Sequence, residues 1–286
     1  MKSGFIAILG RPNVGKSTIL NKFLGTKLVS VTPKPQTTRH KILGILNSPE
    51  YQIVFIDTPG IFKPSYTLQK VMVKTALSTL KDADVILLVV EPFEFEYDII
   101  RRINSPTVVA INKIDLSKDK RILLPLVEKY KEFKFVQEVI PVSALYDDGL
   151  DKLKSAIVLL LPKGEPYYPQ DSLSDRPERF FTAEIIREKI FLLYGEEIPY
   201  ASTVVIEEFK ERGDNKHFIR ATIYIERPSE RAILIGKNGA AIKRLGIEAR
   251  QEIEGWLGHP VYLELWVKDR KGWRKNLKDI KEFGYE

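Results

Sequence analysis

The 286-residue chain contains no cysteine, which excludes disulfide bridges and every thiolate metal site. Its three histidines, His40, His217 and His259, are too far apart in the sequence to suggest a ligand cluster, and no structural metal is expected. Long apolar runs are missing as well. Stretches such as Val85 to Val90 (VILLVV) fall far short of the roughly 20 residues needed to cross a bilayer. The first residues carry no signal-peptide pattern, because Lys2 leads straight into an apolar strand; a cytoplasmic location is the expectation. What the chain has is size, a 44% hydrophobic content and a net charge of +7. These leave room for two cored domains and favour an anionic partner such as a nucleic acid or a charged surface.

The segment GRPNVGKST, Gly10 to Thr18, follows the short apolar run SGFIAIL and precedes STILNKFL, whose apolar residues recur at helical spacing. A strand, a glycine loop and a helix in that order form an anion nest: Gly10 and Gly15 let the backbone curl, so that successive N–H groups point inward. The expected phosphate cradle is Asn13, Val14, Gly15, Lys16, Ser17 and Thr18. Lys16 reaches the outer phosphates, and the Ser17 hydroxyl lies where a magnesium ion bridges them.

Three later segments select the base. VFIDTPG, Val54 to Gly60, ends an apolar strand in Asp57, a carboxylate placed to hold magnesium, and in Gly60, whose N–H can approach a γ-phosphate. TVVAINKID, Thr107 to Asp115, delivers Asn112, Lys113 and Asp115 to the carboxyl end of another strand, where ligands sit in parallel α/β sheets. The Asp115 carboxylate can accept two hydrogen bonds from guanine N1–H and its amine, a pair that adenine does not offer. PVSAL, Pro141 to Leu145, adds Ser143 and Ala144, with the Ala144 N–H directed at guanine O6.

In this order the motifs of residues 1–163 resemble the translation-factor-type small GTPases with a Ras-like domain. The resemblance implies GTP and GDP as ligands, a magnesium ion held by Ser17, Thr38 and Asp57, and hydrolysis supported by Lys16, Thr38 and Gly60. It also identifies PQTTR, Pro35 to Arg39, as the first switch. There Thr38 is the better magnesium ligand and Thr37 the adjacent alternative. Similar GTPases use an asparagine at the position of Asn13 to ligate potassium; the alternative is a loop-capping asparagine. One residue departs from Ras-like enzymes. Ile61 follows DTPG where they carry a glutamine that orients water, so slow intrinsic turnover is expected.

From Leu161 to Pro177 the composition turns proline-rich and polar, LPKGEPYYPQDSLSDRP, and residues 164–177 read as a linker. Residues 178–286 read as a second domain. A helix over Pro177 to Tyr194 is followed by strands at Ser202–Glu208 and His217–Glu226 that pair as an antiparallel hairpin. Glu230 to Ile242 then gives a helical turn, a GKNG loop and a second helix, and Val261 to Val267 a third strand. Two glycines flanking Lys237 and Asn238 let the chain approach phosphates at the start of a helix. Of Ile233, Leu234 and Ile235, most are expected in the core.

The helix–GxxG–helix unit beside three strands resembles the KH domain of type II, whose loop clamps about four single-stranded nucleotides. Residues 176–286 hold 21 Lys and Arg against 19 Asp and Glu, so positive charge is local. It concentrates in KDRKGWRKNLKDIK, Lys268 to Lys281, read as a basic C-terminal helix around Trp273. The expected RNA contacts are Ile235, Gly236, Lys237, Asn238, Gly239, Lys243 and Arg244, with Lys271, Trp273 and Arg274 adding phosphate contacts and base stacking. The alternative for this last stretch is a solvated helix anchored by Trp273 and Leu277. The fold expected is α/β: a P-loop Ras-like domain with a mostly parallel sheet, plus a smaller α+β KH domain. Together the two parts resemble ribosome-assembly GTPases. That resemblance implies binding to the 3′ end of 16S rRNA, action on the 30S subunit and peripheral association with the inner membrane.

Overall fold

The computed structural model describes every residue from Met1 to Tyr285 except 118, 214 and 215. The chain forms two compact units: Met1–Val29, Thr38–Pro64 and Lys70–Asp175 make the first, and Ser30–Thr37, Ser65–Gln69 and Arg176–Glu286 the second.

The first 160 residues supply β1 (Lys2–Leu9), α1 (Lys16–Leu24), β2 (Ile42–Asn47), β3 (Tyr51–Asp57), α2 (Thr67–Ser78), β4 (Val85–Val90), α3 (Tyr97–Ile100), β5 (Thr107–Ile111), α4 (Leu124–Lys131), β6 (Val136–Pro141) and α5 (Leu150–Leu160). The strands form one sheet in the order β2-β3-β1-β4-β5-β6. Every pairing is parallel except that of β2 with β3. All six residues of β4 and all five of β5 are buried, as strands covered on both faces must be, and this accounts for their continuous apolar runs. Consecutive connections leave β1 toward β3 on one side and β4 on the other. The order therefore reverses beside β1, and the crevice at its carboxyl end is where α/β sheets bind ligands.

The proline-rich stretch contains no helix or strand, but hydrogen bonds tie it to the first unit. Gln52 accepts from the Tyr167 and Tyr168 N–H groups at 2.7 and 3.0 Å, Ile45 N–H donates to Leu173 O at 2.9 Å, and Ser174 Oγ donates to Leu43 O at 2.6 Å.

The second unit contains α6 (Glu178–Leu193), α7 (Ile198–Ala201), β7 (Thr203–Lys210), β8 (His217–Ile225), α8 (Pro228–Ile235), α9 (Ala240–Leu257), β9 (Val261–Asp269) and α10 (Leu277–Glu282). The hairpin β7–β8 is antiparallel and β9 joins β8 in parallel. Alternation divides the sheet. Ile219, Ala221, Ile223 and Ile225 of β8 face a core completed by Ile186, Ile190, Leu234, Leu245, Ala249 and Ile253 from the helices. Leu234 thus lies in the core as expected, whereas Ile233 is 58% exposed, since consecutive positions on a helix point to different sides.

The basic segment 268–281 is not one helix. β9 extends into it to Asp269, Gly272 turns the chain at φ 67°, a 3-10 turn covers Trp273–Lys275, and α10 starts after Asn276, whose side chain accepts from Lys278 N–H at 2.9 Å. Trp273 is fully buried, with its Nε1–H given to Ala201 O at 2.8 Å. Its ring cannot stack on a base, and the expectation that it does is corrected here. An aromatic among lysines reads the same in sequence whether it points in or out. Replacing Trp273 by Ala removes this anchor and should destabilise the second unit by about 3–5 kcal/mol. Urea unfolding followed by circular dichroism measures the loss, and a shift under about 1 kcal/mol would contradict the anchoring role.

Candidate functional site

The loop between β1 and α1 is shaped by close backbone approach. A Cβ on Gly10, at φ +151°, would lie 2.2 Å from Val89 O; one on Gly15, at φ +100°, 2.1 Å from Asn112 Nδ2; and one on Gly60, 2.5 Å from Pro12 N. Only glycine fits at these three positions. Asn13 also has a positive φ of 65°. Helix α1 starts with no side-chain cap and no acidic residue in its first turn, so the N–H groups of Lys16, Ser17 and Thr18 remain open to an anion.

Behind the loop sits a buried polar cluster. Lys16 Nζ donates to Gly10 O at 3.2 Å and Arg11 O at 2.8 Å, and burial lowers its pKa to about 8 against the opposing pull of Asp57. Asp57 is fully buried at the carboxyl end of β3, and desolvation raises its pKa to about 6 despite Lys16 and hydrogen bonds from Ser17, Thr58 and Thr38. Ser17 Oγ donates to Asp57 Oδ2 at 2.8 Å and lies 3.0 Å from Thr38 Oγ1. Asp57 Oδ1 is buried with no hydrogen-bond partner. Two hydroxyls beside a buried carboxylate that keeps one oxygen unpartnered fit a magnesium ion, which prefers hard oxygen ligands and takes few of them from the protein. Thr37 is turned elsewhere: its Oγ1 donates to Lys34 O at 2.9 Å and sits 2.6 Å from Thr32 Oγ1. The structure therefore brings Thr38, and not Thr37, to Ser17 and Asp57.

A second cluster joins the carboxyl ends of β5 and β6 to the loop. Asn112 Nδ2 donates to Val14 O at 2.8 Å while its Oδ1 accepts from Ala144 N–H at 2.9 Å. Ser143 Oγ donates to Asp115 Oδ1 at 2.5 Å, which orients that carboxylate. The Ala144 N–H is consequently engaged by Asn112, and its expected direction toward guanine O6 is corrected; the amide instead fixes the side chain that braces the loop. Lys113 takes φ 64° and pairs with Glu91 at 2.5 Å. Sequence reading missed Glu91, whose only signal was its place just after β4. It also missed the clamp of Arg11 between Glu94 and Glu96 at 2.7 and 2.8 Å. Ile61 packs against the core cluster and its N–H donates to Gly10 O at 3.0 Å.

In the second unit, the GKNG loop leaves Lys237, Asn238, Lys243 and Arg244 exposed. Gly236 at φ 74° could not carry a Cβ, which would lie 2.6 Å from Ala241 Cβ; Asn238 and Gly239 adopt φ 52° and 75°. Helix α9 starts without a side-chain cap or an acidic first turn. Ile235 is partly covered and packs on the core. Lys271 is exposed, but Arg274 is held by Glu226 at 2.6 Å with its side chain 14% accessible, so its expected RNA contact is corrected to a structural ion pair. The loop and the Lys271–Arg274 turn are separate features of this unit.

The family described as 50S ribosome-binding GTPase matches residues 5–113, and the KH domain family matches residues 197–274. Among curated proteins, the chain is 48% identical to GTPase Era of Geotalea uraniireducens (strain Rf4), over 100% of this chain and 98% of that one. It is 44% identical to GTPase Era of Heliobacterium modesticaldum (strain ATCC 51547 / Ice1), over 100% and 98%. Among solved structures it is similar to a tyrosine-to-alanine variant of Aquifex aeolicus Era bound to GDP.AlF4-, with TM-score 0.95, 42% identity and coverage of 100% and 99%. It is similar also to Era in complex with MgGDPNP and nucleotides 1506–1542 of 16S ribosomal RNA, with TM-score 0.94, 42% identity and the same coverage. Among the described residues, no helix is long and apolar enough to cross a membrane.

The Asp57 environment yields a pH-dependent prediction. Its folded pKa of about 6 lies above the ordinary 3.8, so in the nucleotide-free chain the ionised carboxylate costs stability, fully above about pH 6 and not at all below about pH 4. Asp57→Asn should therefore stabilise the nucleotide-free protein by on the order of 2–3 kcal/mol at about pH 7, an advantage that shrinks as pH falls toward about 4. Denaturant titrations at both pH values check it; a pH-independent difference would contradict the burial argument.

Proposed function

The chain belongs to the GTPase Era family, and from that premise we propose how its residues bind GTP, hydrolyse it and couple it to RNA. The protein is a GTPase with a P-loop domain and a KH domain. The nucleotide phosphates lie over the N–H groups from Asn13 to Thr18, with the Lys16 ammonium on the outer phosphates. Ser17, Thr38 and Asp57 would hold a magnesium ion, which would supply positive charge against the phosphates. Asp115, oriented by Ser143, reads the guanine edge. Asn112 braces the loop, and Lys113, fixed by Glu91, flanks the base. The observation that carries this reading is the buried Asp57 carboxylate, with one oxygen held by Ser17, itself 3.0 Å from Thr38, and the other oxygen without a partner.

Gly60 supplies an N–H toward the γ-phosphate, and water is oriented by Thr38 and backbone groups in place of a glutamine. Asn13 would hold a potassium ion, which would supply positive charge beside the phosphates. GTP turnover should then be several-fold faster in potassium than in sodium, and Asn13→Ala should erase the difference. Equal wild-type rates in the two salts remove Asn13 from the mechanism.

The KH unit binds single-stranded RNA near the 3′ end of 16S rRNA at the Gly236–Gly239 loop, with Lys243 and Arg244 on phosphates. The protein acts in this way on the 30S subunit. Its place is the cytoplasm, and exposed Lys271, Lys275, Lys278 and Lys281 are the groups that would meet an anionic inner membrane. At one fixed salt concentration, RNA covering nucleotides 1506–1542 should bind more tightly with GDPNP and magnesium than with GDP. Lys237→Asp with Asn238→Asp should abolish binding in both states. Equal affinity in the two states would leave an uncoupled RNA binder, and no binding would assign the KH unit to a protein or membrane partner.

A further inference from the structure

One face of the second unit's sheet packs on the helices, and the other turns outward. Along β9 the outward positions are Tyr262, Glu264, Trp266 and Lys268, alternating with Val261, Leu263, Leu265 and Val267, which belong to the core or pack on it. Tyr262 is 56% and Trp266 52% exposed. In register beside them on β8 stand Phe218, Arg220 and Thr222. The Tyr224 end of this face is closed by Phe283, 4.9 Å away between ring centroids, while Tyr262 and Trp266 stand more than half exposed beside partly covered Phe218 and Arg220 and a buried Thr222.

Chemistry narrows what could cover it. The outward row of β9 has no aliphatic residue. Its two rings are set apart by Glu264, which together with Glu208 holds the Arg220 guanidinium at 2.5 and 3.0 Å. A protein-docking face offers a contiguous apolar patch; separate rings among charges suit separate planar groups. Four residues of strand place Tyr262 and Trp266 about 13 Å apart. The Phe218 ring lies nearly parallel to that of Tyr262, at 5.8 Å and 13°, and carries the Arg220 and Arg212 guanidiniums at 5.2 and 5.0 Å. Exposed rings bordered by Arg and Lys on an open sheet are the means by which other folds stack unpaired bases.

The place of β9 in the unit points the same way. Its end adjoins the helix that leads into the GKNG loop: Arg231 of α8 faces Asp269, which continues the helix-side row of β9, at 3.5 Å, so RNA leaving the loop reaches the outward row by passing round this end of the strand. Trp266 is three residues back from that junction. A GxxG loop holds about four nucleotides, so most of the 1506–1542 segment carried by the related Era complex must lie beyond such a loop.

We propose that the outward face of β9 is a second RNA-binding surface, on which single-stranded RNA leaving the GKNG loop stacks bases on Trp266 and then Tyr262. This rests on the reading of the KH unit as an RNA binder. Lys268, exposed at its border, meets a phosphate, and Arg220, paired with Glu264 and Glu208, stays laid over Phe218.

The test compares two labelled RNAs on the full chain with GDPNP and magnesium: nucleotides 1506–1542, and an oligonucleotide of about four nucleotides that fills the loop alone. Trp266→Ala with Tyr262→Ala should weaken the long RNA by about 10- to 100-fold, within the range for one or two stacked bases, and leave the short one unchanged. Long RNA should quench tryptophan emission in the wild type and much less in Trp266→Phe, since Trp273 is buried and Trp256 packs on Phe181. Unchanged melting temperatures confirm that the exposed substitutions leave the fold intact. Unaltered affinity for the long RNA overturns the proposal, as does equal loss on both RNAs. Lost binding to 30S subunits with RNA affinity intact also overturns it and assigns the face to a protein. Wild-type failure to bind either RNA overturns the parent reading together with this one.

Discussion

Burying Asp57 beside Lys16, with one carboxylate oxygen left unpartnered, is the constraint around which the nucleotide domain is arranged. Desolvation pushes the acid up to about 6 and the ammonium down to about 8. Their mutual attraction offsets only part of either effect. Such a pair is a poor source of stability, since removing two ions from water costs more than imperfect pairing returns. It persists because it is poised for charge that a ligand brings. The sheet order contributes the position: β1 and β3 are neighbours in parallel, so their carboxyl ends present the glycine loop and Asp57 side by side. Three glycines with no room for a Cβ let the backbone come close enough for the cluster to form.

The loop, the DTPG turn and the NKID turn were legible because their spacing is fixed by sterics and hydrogen-bond geometry that any sequence must obey. The alternation of VYLELWV and the hairpin at Gly213 were legible for the same reason, since strand period is a property of the backbone. Side-chain destinations were less so. Trp273 and Arg274 sit in a run of lysines, and nothing local distinguishes a ring that plugs the core from one that meets a base. Their fate is decided by Ala201 and Glu226, 72 and 48 residues away. The Ala144 amide shows the same limit at shorter range: its donor was foreseen, its acceptor was not. Glu91 carries no motif, and only the folded position of Lys113 gives it a role.

Charge in the second unit follows pairing more than count. Arg270 is held by Asp279 and Glu282 at 2.6 and 2.8 Å, and Arg274 by Glu226. Both guanidiniums in the basic segment therefore fix the C-terminal turn, leaving lysines as its exposed charge. Arginine suits the first task because its planar fork can share one or two carboxylates; lysine suits the second as a flexible point charge. The basic C-terminal segment thus resolves into two arginines that hold its turn and lysines that stay exposed.

The residue after DTPG bears on hydrolysis through where it points. The Ile61 side chain packs into the core and its N–H closes onto Gly10 O, so this position serves the fold and leaves no side-chain group for water. Arg11, the cation next along the loop, is tied between Glu94 and Glu96 and is not available to act as an arginine finger. On the proposed placement of the phosphates, the polar groups left near the γ-position are Lys16, Thr38 and the Gly60 N–H, which would stabilise charge but not abstract a proton. A site built this way gains rate from electrostatic preorganisation, and its turnover is governed by whatever holds Thr38 and Gly60 in place, since a small displacement of either alters both metal coordination and the donors aimed at the developing charge. On the proposed reading, slow hydrolysis would follow from construction, because no side chain at this position is placed to orient or deprotonate water.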